Sequence, residues 1–445
     1  MQQNRFLAAL AVGTALVMAG PVTAQTPLQN AIEGDYGYLQ TLYTHLHENP
    51  ELSFEEKQTA KRIAKELRSL GFEVTTGIGG TGLVAVMKNG DGPTVMIRTD
   101  LDALPVKEQT GKPYASTVRG QNYLGDKNLP IMHACGHDVH MTALVGTARR
   151  LVAMKDQWAG TLVMIGQPAE ELGLGAKAML EDGLFSRFPK PDYNLGLHVN
   201  AGLPAGTIGY TSGYALANVD SVDIEIKGVG GHGAYPQATK DPIVLGAYIV
   251  TALQTLVSRE IDPQAPAVVT VGSFHGGTKH NIIPDSAHLK LTVRSYSDEV
   301  REKLLHGITR IAQNQARAFG LPEDKLPVVT KEENYTPSLY NDPALVKNTM
   351  AAIAKQIGAD NIRELKPVMG GEDFSRYGRT KDKIPGFMFW VGAVNPDVYA
   401  KTKAEGGTLP SLHSPFFAPD PRRTIITAVD AMSTAALNLL GKSDG

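Results

Sequence analysis

Short β-rich runs recur along this chain at residues 83–87, 95–98, 162–165, 195–198 and 387–391, with helical patterns between them. Strands that alternate with helices close compactly as an open sheet carrying helices on its faces. The pattern predicts an α/β catalytic domain with a mostly parallel sheet flanked by helices. Two further helical patterns, 38–46 and 55–70, precede the first run, and the second of them stops at Gly71.

A different texture occupies 215–333. Residues 219–226 alternate like a half-exposed strand, 241–258 is helical, 267–274 and 287–295 are strands, 298–319 is helical, and 328–333 supplies a closing strand. That order predicts an inserted, smaller α+β lid of ferredoxin-like type. The expected division is therefore 25–214 for the first part of the catalytic domain, 215–333 for a lid and dimerisation domain, and 334–445 for the second part. A length of 445 residues exceeds one ordinary core and agrees with two.

Residues 1–24 carry an address. Arg5 gives a positive start, 6–20 is an apolar run, and Val22-Thr23-Ala24 offers small or modest side chains to a peptidase. The run is too short and too early for a membrane span, so a secretory signal cleaved near Ala24 is expected, with an uncleaved anchor as the alternative. The protein is then exported, periplasmic or secreted. No later run is expected to cross a bilayer, so no stable membrane insertion follows cleavage. A net charge of −2 gives no electrostatic reason to expect nucleic acid as a partner.

The single cysteine, Cys135, excludes an internal disulfide. An exported protein keeps an unpaired thiol either buried and inert or bound to metal as thiolate. The neighbours decide. Ligand-handling groups in open α/β sheets gather past the carboxyl ends of strands. There stand Asp100 and Asp102 after 95–98, Glu170 and Glu171 after 162–165, and His198 after 195–197, while Cys135-Gly-His137 precedes a helix expected from Val139. The glycine lets the backbone turn and aim Cys135 and His137 at one point. Thiolate, imidazole and carboxylate suit zinc, and manganese or cobalt as oxygen ligands join. Of the two adjacent glutamates, one can bind metal while the other stays free to take a proton from water; a solvated acidic pair is the plainer alternative.

Seven segments together resemble the di-metal aminoacylase and carboxypeptidase-G family, in its hippurate-hydrolase and auxin-conjugate-hydrolase branch. They are residues 47–56 (HENPELSFEE), 98–105 (RTDLDALP), 132–138 (MHACGHD), 167–171 (QPAEE), 196–198 (GLH), 369–374 (MGGEDF) and 412–415 (LHSP). The resemblance implies that Cys135, His137, Glu171, His198 and His413 ligate two divalent ions, manganese, zinc or cobalt. It implies Glu170 as general base and later proton donor. Related peptidases place a histidine ligand where this chain has Asp100, so Asp100 is either a ligand or a supporting group beside one. Asp102, Asp138 and His140 are expected to orient the ligands, with helix capping as the alternative for the last two.

In the lid, glycines flank His232 within Gly-Gly-His-Gly-Ala-Tyr-Pro, which suggests an exposed imidazole. By resemblance it polarises the scissile carbonyl, commonly from a dimer partner, while Asn281 and Arg294 hold the substrate. Arg294 would clamp a carboxylate; a surface salt bridge is the alternative. Gly370, Gly371 and Asp373 are expected near that carboxylate. His47 is expected to shape the substructure, and His45, His275, His280, His288 and His306 to be surface or packing residues. The function implied is cleavage of N-acyl or N-aroyl amino acids to a carboxylic acid and a free amino acid, by a homodimer or higher homo-oligomer. A dipeptidase or carboxypeptidase would use the same site, and a periplasmic small-ligand binding protein is the alternative of another class.

Overall fold

The computed structural model describes residues 25–442; the expected signal at 1–24 lies outside them. Helix Pro27–Glu48 starts well before the expected 38 because local chemistry fixes its beginning. The Thr26 hydroxyl accepts from the Gln29 N–H, the Gln29 side chain accepts from the Thr26 N–H, and Pro27 takes the first helical position.

The large sheet has eight strands in the order Glu73–Ile78, Gly82–Asn89, Gly160–Gln167, Thr94–Asp100, Tyr193–Pro204, Gly386–Val394, Ile208–Tyr210, Ile362–Glu364. Its centre is parallel: Thr94–Asp100 pairs that way with Gly160–Gln167 and Tyr193–Pro204, and Tyr193–Pro204 with Gly386–Val394. Gly82–Asn89 joins the flank antiparallel.

Alternate residues of these strands go to opposite faces. Ile97, Met164, Leu195 and Phe389 pack with helices Pro27–Glu48, His137–Ala153 and Pro421–Leu440, while Met96, Val163, Ile165 and Met388 pack with Met179 and Tyr377 on the other side. Burial on both faces explains why the strands are continuous apolar runs rather than alternating ones.

Residues Asn218–Lys227, Ala267–Gly276, Ser286–Ser295 and Val328–Lys331 build a separate antiparallel sheet with Ala267–Gly276 at its edge. Helices Pro242–Thr255 and Asp298–Ala318 bury Leu245, Ile249, Leu304 and Ile308 against Ile224 and Leu289. One expectation needs correcting here. Pro242–Glu260 is long and apolar enough by composition to cross a bilayer. One of its faces packs in this core, and Ile243, Val244 and Tyr248 are exposed.

Candidate metal centre

The centre is built where the parallel strands end. Past Thr94–Asp100 the chain carries Asp102, and past Gly160–Gln167 it makes a tight turn, Glu170–Leu172. His198 is not at a strand terminus as expected, because Tyr193–Pro204 continues alongside Gly386–Val394. Its pairing with Thr94–Asp100 stops at Gly196, however, which opens the space that His198 enters.

Cys135 and His137 are aimed by Gly136, whose φ of 81° lies in the left-handed region. A Cβ there would lie 2.6 Å from Val199 Cγ2, so both conformation and space demand glycine. His413 also has a positive φ, 65°, and its N–H donates to the Ala134 carbonyl at 2.9 Å, next to Cys135 in the chain.

Hydrogen bonds fix which ring nitrogen each histidine presents. His137 Nδ1 donates to the Asp102 carbonyl (2.8 Å) and His198 Nδ1 to the Val199 carbonyl (2.8 Å). Their Nε2 atoms are left for the centre: that of His198 lies 3.5 Å from Cys135 Sγ, and that of His137 lies 3.8 Å from Glu171. His413 Nε2 stands 3.5 Å from Glu171 Oε2. The structure thus brings Cys135, His137, Glu171, His198 and His413 together, with Glu170 3.9 Å from His137.

The electrostatics of this cluster fit divalent cations. Burial, then the charges of Glu171, Glu170 and Asp100, push the Cys135 thiol well up. Burial, then Glu372, Glu171 and Asp373, hold Glu170 well above the usual carboxylate range. Glu171 is raised to about 7, chiefly by burial. His137 is raised to about 10, because Asp100, Asp102 and Glu171 together outweigh its burial. Anions that hold protons and an imidazole that keeps one describe a pocket short of positive charge. The buried His137 Nε2 and Glu171 Oε1 have no hydrogen-bond partner, as expected of atoms reserved for a metal.

These groups open into a cavity of about 830 Å³. Arg294 lines it, donating from Nη1 to the Met369 carbonyl (2.8 Å) and from Nε to Thr292 (3.2 Å). Among the described residues Arg294 has no carboxylate within ion-pairing distance, so the surface salt bridge is not what holds it.

The profile of peptidase family M20/M25/M40 matches residues 96–413. The chain belongs to that family. It is 36% identical over 372 residues to thermostable carboxypeptidase 2 of Saccharolobus solfataricus, covering 83% of this chain and 89% of that one. It is 38% identical over 358 residues to a hippurate hydrolase of Campylobacter jejuni, covering 79% and 88%. Among solved structures, the Bacillus subtilis YXEP protein, a dinuclear metal binding peptidase of the M20 family, superposes with a TM-score of 0.72 at 31% identity, covering 92% of this chain and 99% of that one. Membership makes this chain a metal-dependent hydrolase, and the binding-protein alternative falls with it.

Around the candidate ligands of this M20 chain lies a network that its motifs contained but did not announce. Arg98, buried, donates to Asp100 (2.6 Å), Glu372 (2.8 Å), Asp373 (3.3 Å) and the Gln167 side chain (3.0 Å). Asp100 gives its other oxygen to His140 Nδ1 (2.7 Å), and His140 Nε2 accepts from the Val199 N–H (2.9 Å). Both nitrogens of His140 are therefore occupied, and it supports the centre without facing it. Asp100 comes within 3.6 Å of His137 Nε2 with both oxygens already bonded. Asp102 accepts from Ser53 and carries the carbonyl that orients His137. Asp138 faces away, its carboxylate 2.6 Å from His47 Nδ1 and accepting from the Val139 N–H.

Gly370, Gly371 and Asp373 all line the cavity, and the Asp373 carboxylate accepts from Gln167 (2.6 Å) and the Ala176 N–H (2.9 Å) as well as from Arg98. His232 and Asn281 sit together at the tip of the smaller sheet's domain, exposed, with the Gly233 N–H donating to the Asn281 carbonyl. Neither lines the cavity of its own chain.

Proposed function

We propose that this chain hydrolyses the amide bond of N-acyl or N-aroyl amino acids, releasing a carboxylic acid and a free amino acid. The observation that carries the proposal is one cavity holding a proton-retaining carboxylate, Glu170, beside the ligand cluster, and an unpaired guanidinium, Arg294. Cys135, His137, Glu171, His198 and His413 would hold two divalent ions, zinc, manganese or cobalt. Bound there, the ions would supply Lewis acidity to the scissile carbonyl and to the attacking water. Glu170 accepts the water's proton and returns it to the departing amino nitrogen, and its raised proton affinity suits the second half of that task. Arg294 holds the α-carboxylate with the part of its planar fork that Met369 and Thr292 leave free. Asp100, Asp102 and His140 keep the ligands in place.

His232 and Asn281 act, in this proposal, in the cavity of a second copy of the chain, with His232 donating to the developing oxyanion. Support comes from their exposure at the tip and from the surface beside it: an open edge strand, Ala267–Gly276, and exposed Ile243, Val244, Tyr248 and Phe274. A homodimer through the inserted domain covers both, and sedimentation of the purified protein tests it. Residues 1–24 direct export in the same proposal.

The experiment is cleavage of N-acyl amino acids before and after chelation, with manganese or zinc restored. Activity that ignores metal removes the proposal. Glu170→Gln should abolish turnover while bound metal stays. A carboxypeptidase or dipeptidase reading draws on the 36% identity to the Saccharolobus carboxypeptidase, and an Arg294 clamp serves a C-terminal residue equally well. Turnover of hippurate-like substrates against dipeptides separates the two.

A further inference from the structure

Glu56 is fully buried, yet it belongs to neither the ligand set nor the Arg98 network. It occupies the N-cap position of helix Lys57–Ser69, and its side chain makes no capping bond. Glu51 does that work instead, accepting from the N–H groups of Gln58 and Thr59 at 2.8 Å each. Freed from its own helix, the Glu56 carboxylate turns to another segment. One oxygen accepts from the Ala169 N–H at 2.8 Å, and the other accepts from the Thr81 hydroxyl. No cation lies within ion-pairing distance of it among the described residues, and burial, then the charge of Asp102, raises its pKa to about 7.

Ala169 has a φ of 48°, a left-handed conformation that a non-glycine residue keeps only when its surroundings hold it. On the far side of Glu170, the Glu171 N–H donates to Asp102 Oδ2 at 3.0 Å, and Asp102 is itself held by the Ser53 hydroxyl at 2.6 Å. Two buried carboxylates from separate segments thus grip the peptide N–H groups on either side of one residue, the proposed base.

We propose that Glu56 is a positioning residue for Glu170: with Asp102 it holds the strained turn that aims the Glu170 carboxylate into the cavity. It touches neither substrate nor metal ligand and acts through the Ala169 peptide. A carboxylate buried without a cation is costly, and here that cost is met by the bonds it accepts from the Ala169 N–H and the Thr81 hydroxyl. The first of those bonds falls on the left-handed residue next to the base. This inference rests on Glu170 being the base, and its test includes a measurement independent of that assignment.

The test uses the full chain with metal restored. Glu56→Met fills the volume and removes the acceptor; Glu56→Ala removes it and admits water, and serves if the first does not fold. Glu56→Gln keeps an acceptor for the Ala169 N–H without the charge. Readouts are kcat, KM, metal stoichiometry, and amide hydrogen exchange across 167–174. The expected result for Met or Ala is a fall in kcat of about 10- to 100-fold. KM should stay within about twofold, bound metal should be unchanged, and exchange in the turn should be faster. Glu56→Gln should recover most of kcat and of the protection. Wild-type kcat in both removal variants overturns the proposal, as does loss of metal in step with activity, or a Gln variant as poor as Met. Faster exchange in the turn without loss of kcat shows that Glu56 grips it but does not position the base, which also overturns the proposal. Should Glu170 prove not to be the base, the exchange result still reports on the grip, so the two failures are distinguishable.

Discussion

One ring joins two buried carboxylates: His47 Nδ1 lies 2.6 Å from Asp138 and His47 Nε2 lies 3.1 Å from Glu108. Both partners can only accept, so both ring nitrogens donate and the ring is an imidazolium. Tyr43 and Tyr114 pack on it with ring centroids 5.6 Å and 5.2 Å away. Asp138 directly follows His137, so this buried ion pair ties the end of helix Pro27–Glu48 to the loop that carries two proposed ligands.

That strut predicts a pH-dependent stability. Burial pulls the His47 pKa down, but the bonds to Asp138 and Glu108 outweigh it and raise it from 6.5 to about 10. A cation with a raised folded-state pKa stabilises fully below its unfolded value, and the contribution is lost as pH climbs through the folded value. Thermal melts from about pH 7 to about pH 10 should show the Tm of the wild type falling more steeply than that of His47→Gln. At neutral pH the variant should be less stable by about 3 kcal/mol or more, since it strands two buried carboxylates. Parallel Tm curves would mean that the ring is neutral.

Gly136→Ala should damage the centre without touching a ligand. The left-handed conformation costs an alanine about 1–2 kcal/mol, and the new methyl group would lie 2.6 Å from Val199 Cγ2. Val199 carries the carbonyl that orients His198, so relief by moving Val199 disturbs another proposed ligand. Metal affinity measured by competition with a chelator should drop by about 10-fold or more, with a lower Tm. Unchanged affinity would show that the loop has room to spare.

Much of this was legible in the order of residues because strand ends concentrate chemistry. Val95 to Ile97 and Leu162 to Ile165 are apolar runs that must be buried, and the polar residues beyond them have one place to go, the rim of the sheet. Arg98 was not legible as a hub. It stands inside a buried strand, and its partners Glu372 and Asp373 come from the opposite end of the chain, where only folding makes them neighbours. His198 directly follows the apolar run 195–197 and so reads as a strand end, whereas pairing with Gly386–Val394 carries the strand on to Pro204. The role of Glu56 was hidden because a residue at a helix start is expected to cap its own helix. His232 and Asn281 lie outside the cavity of their own chain, and only the family resemblance, not the residues around them, pointed to a partner's cavity.

Arg294 separates binding from chemistry. Its guanidinium has two neutral oxygen partners and no carboxylate among the described residues, and burial alone lowers its pKa. Arg294→Ala should raise KM for an N-acyl amino acid by about 10- to 100-fold, the equivalent of one charge-assisted contact, with a smaller effect on kcat. The corresponding substrate with its carboxylate capped as an amide should lose little further on mutation. Equal losses for both substrates would show that Arg294 shapes the cavity and does not hold the carboxylate.

Metal binding should release protons, and affinity should rise with pH. Without metal, His137 keeps its proton up to about 10, and the Cys135 thiol is held well above its ordinary range by burial and the charges of Glu171, Glu170 and Asp100. Coordination needs a neutral imidazole and a thiolate, so each ion must displace protons that the carboxylates retain in its place. Titration of the chelated protein with zinc, in buffers of different ionisation enthalpy at about pH 7, should give heats that vary with the buffer, with more than one proton released per chain. Cys135→Ser removes the thiol and should reduce both the proton count and the affinity, while Glu170→Gln should leave the affinity nearly unchanged. Buffer-independent heats would mean that the cluster is already deprotonated, and that some other cation balances its carboxylates.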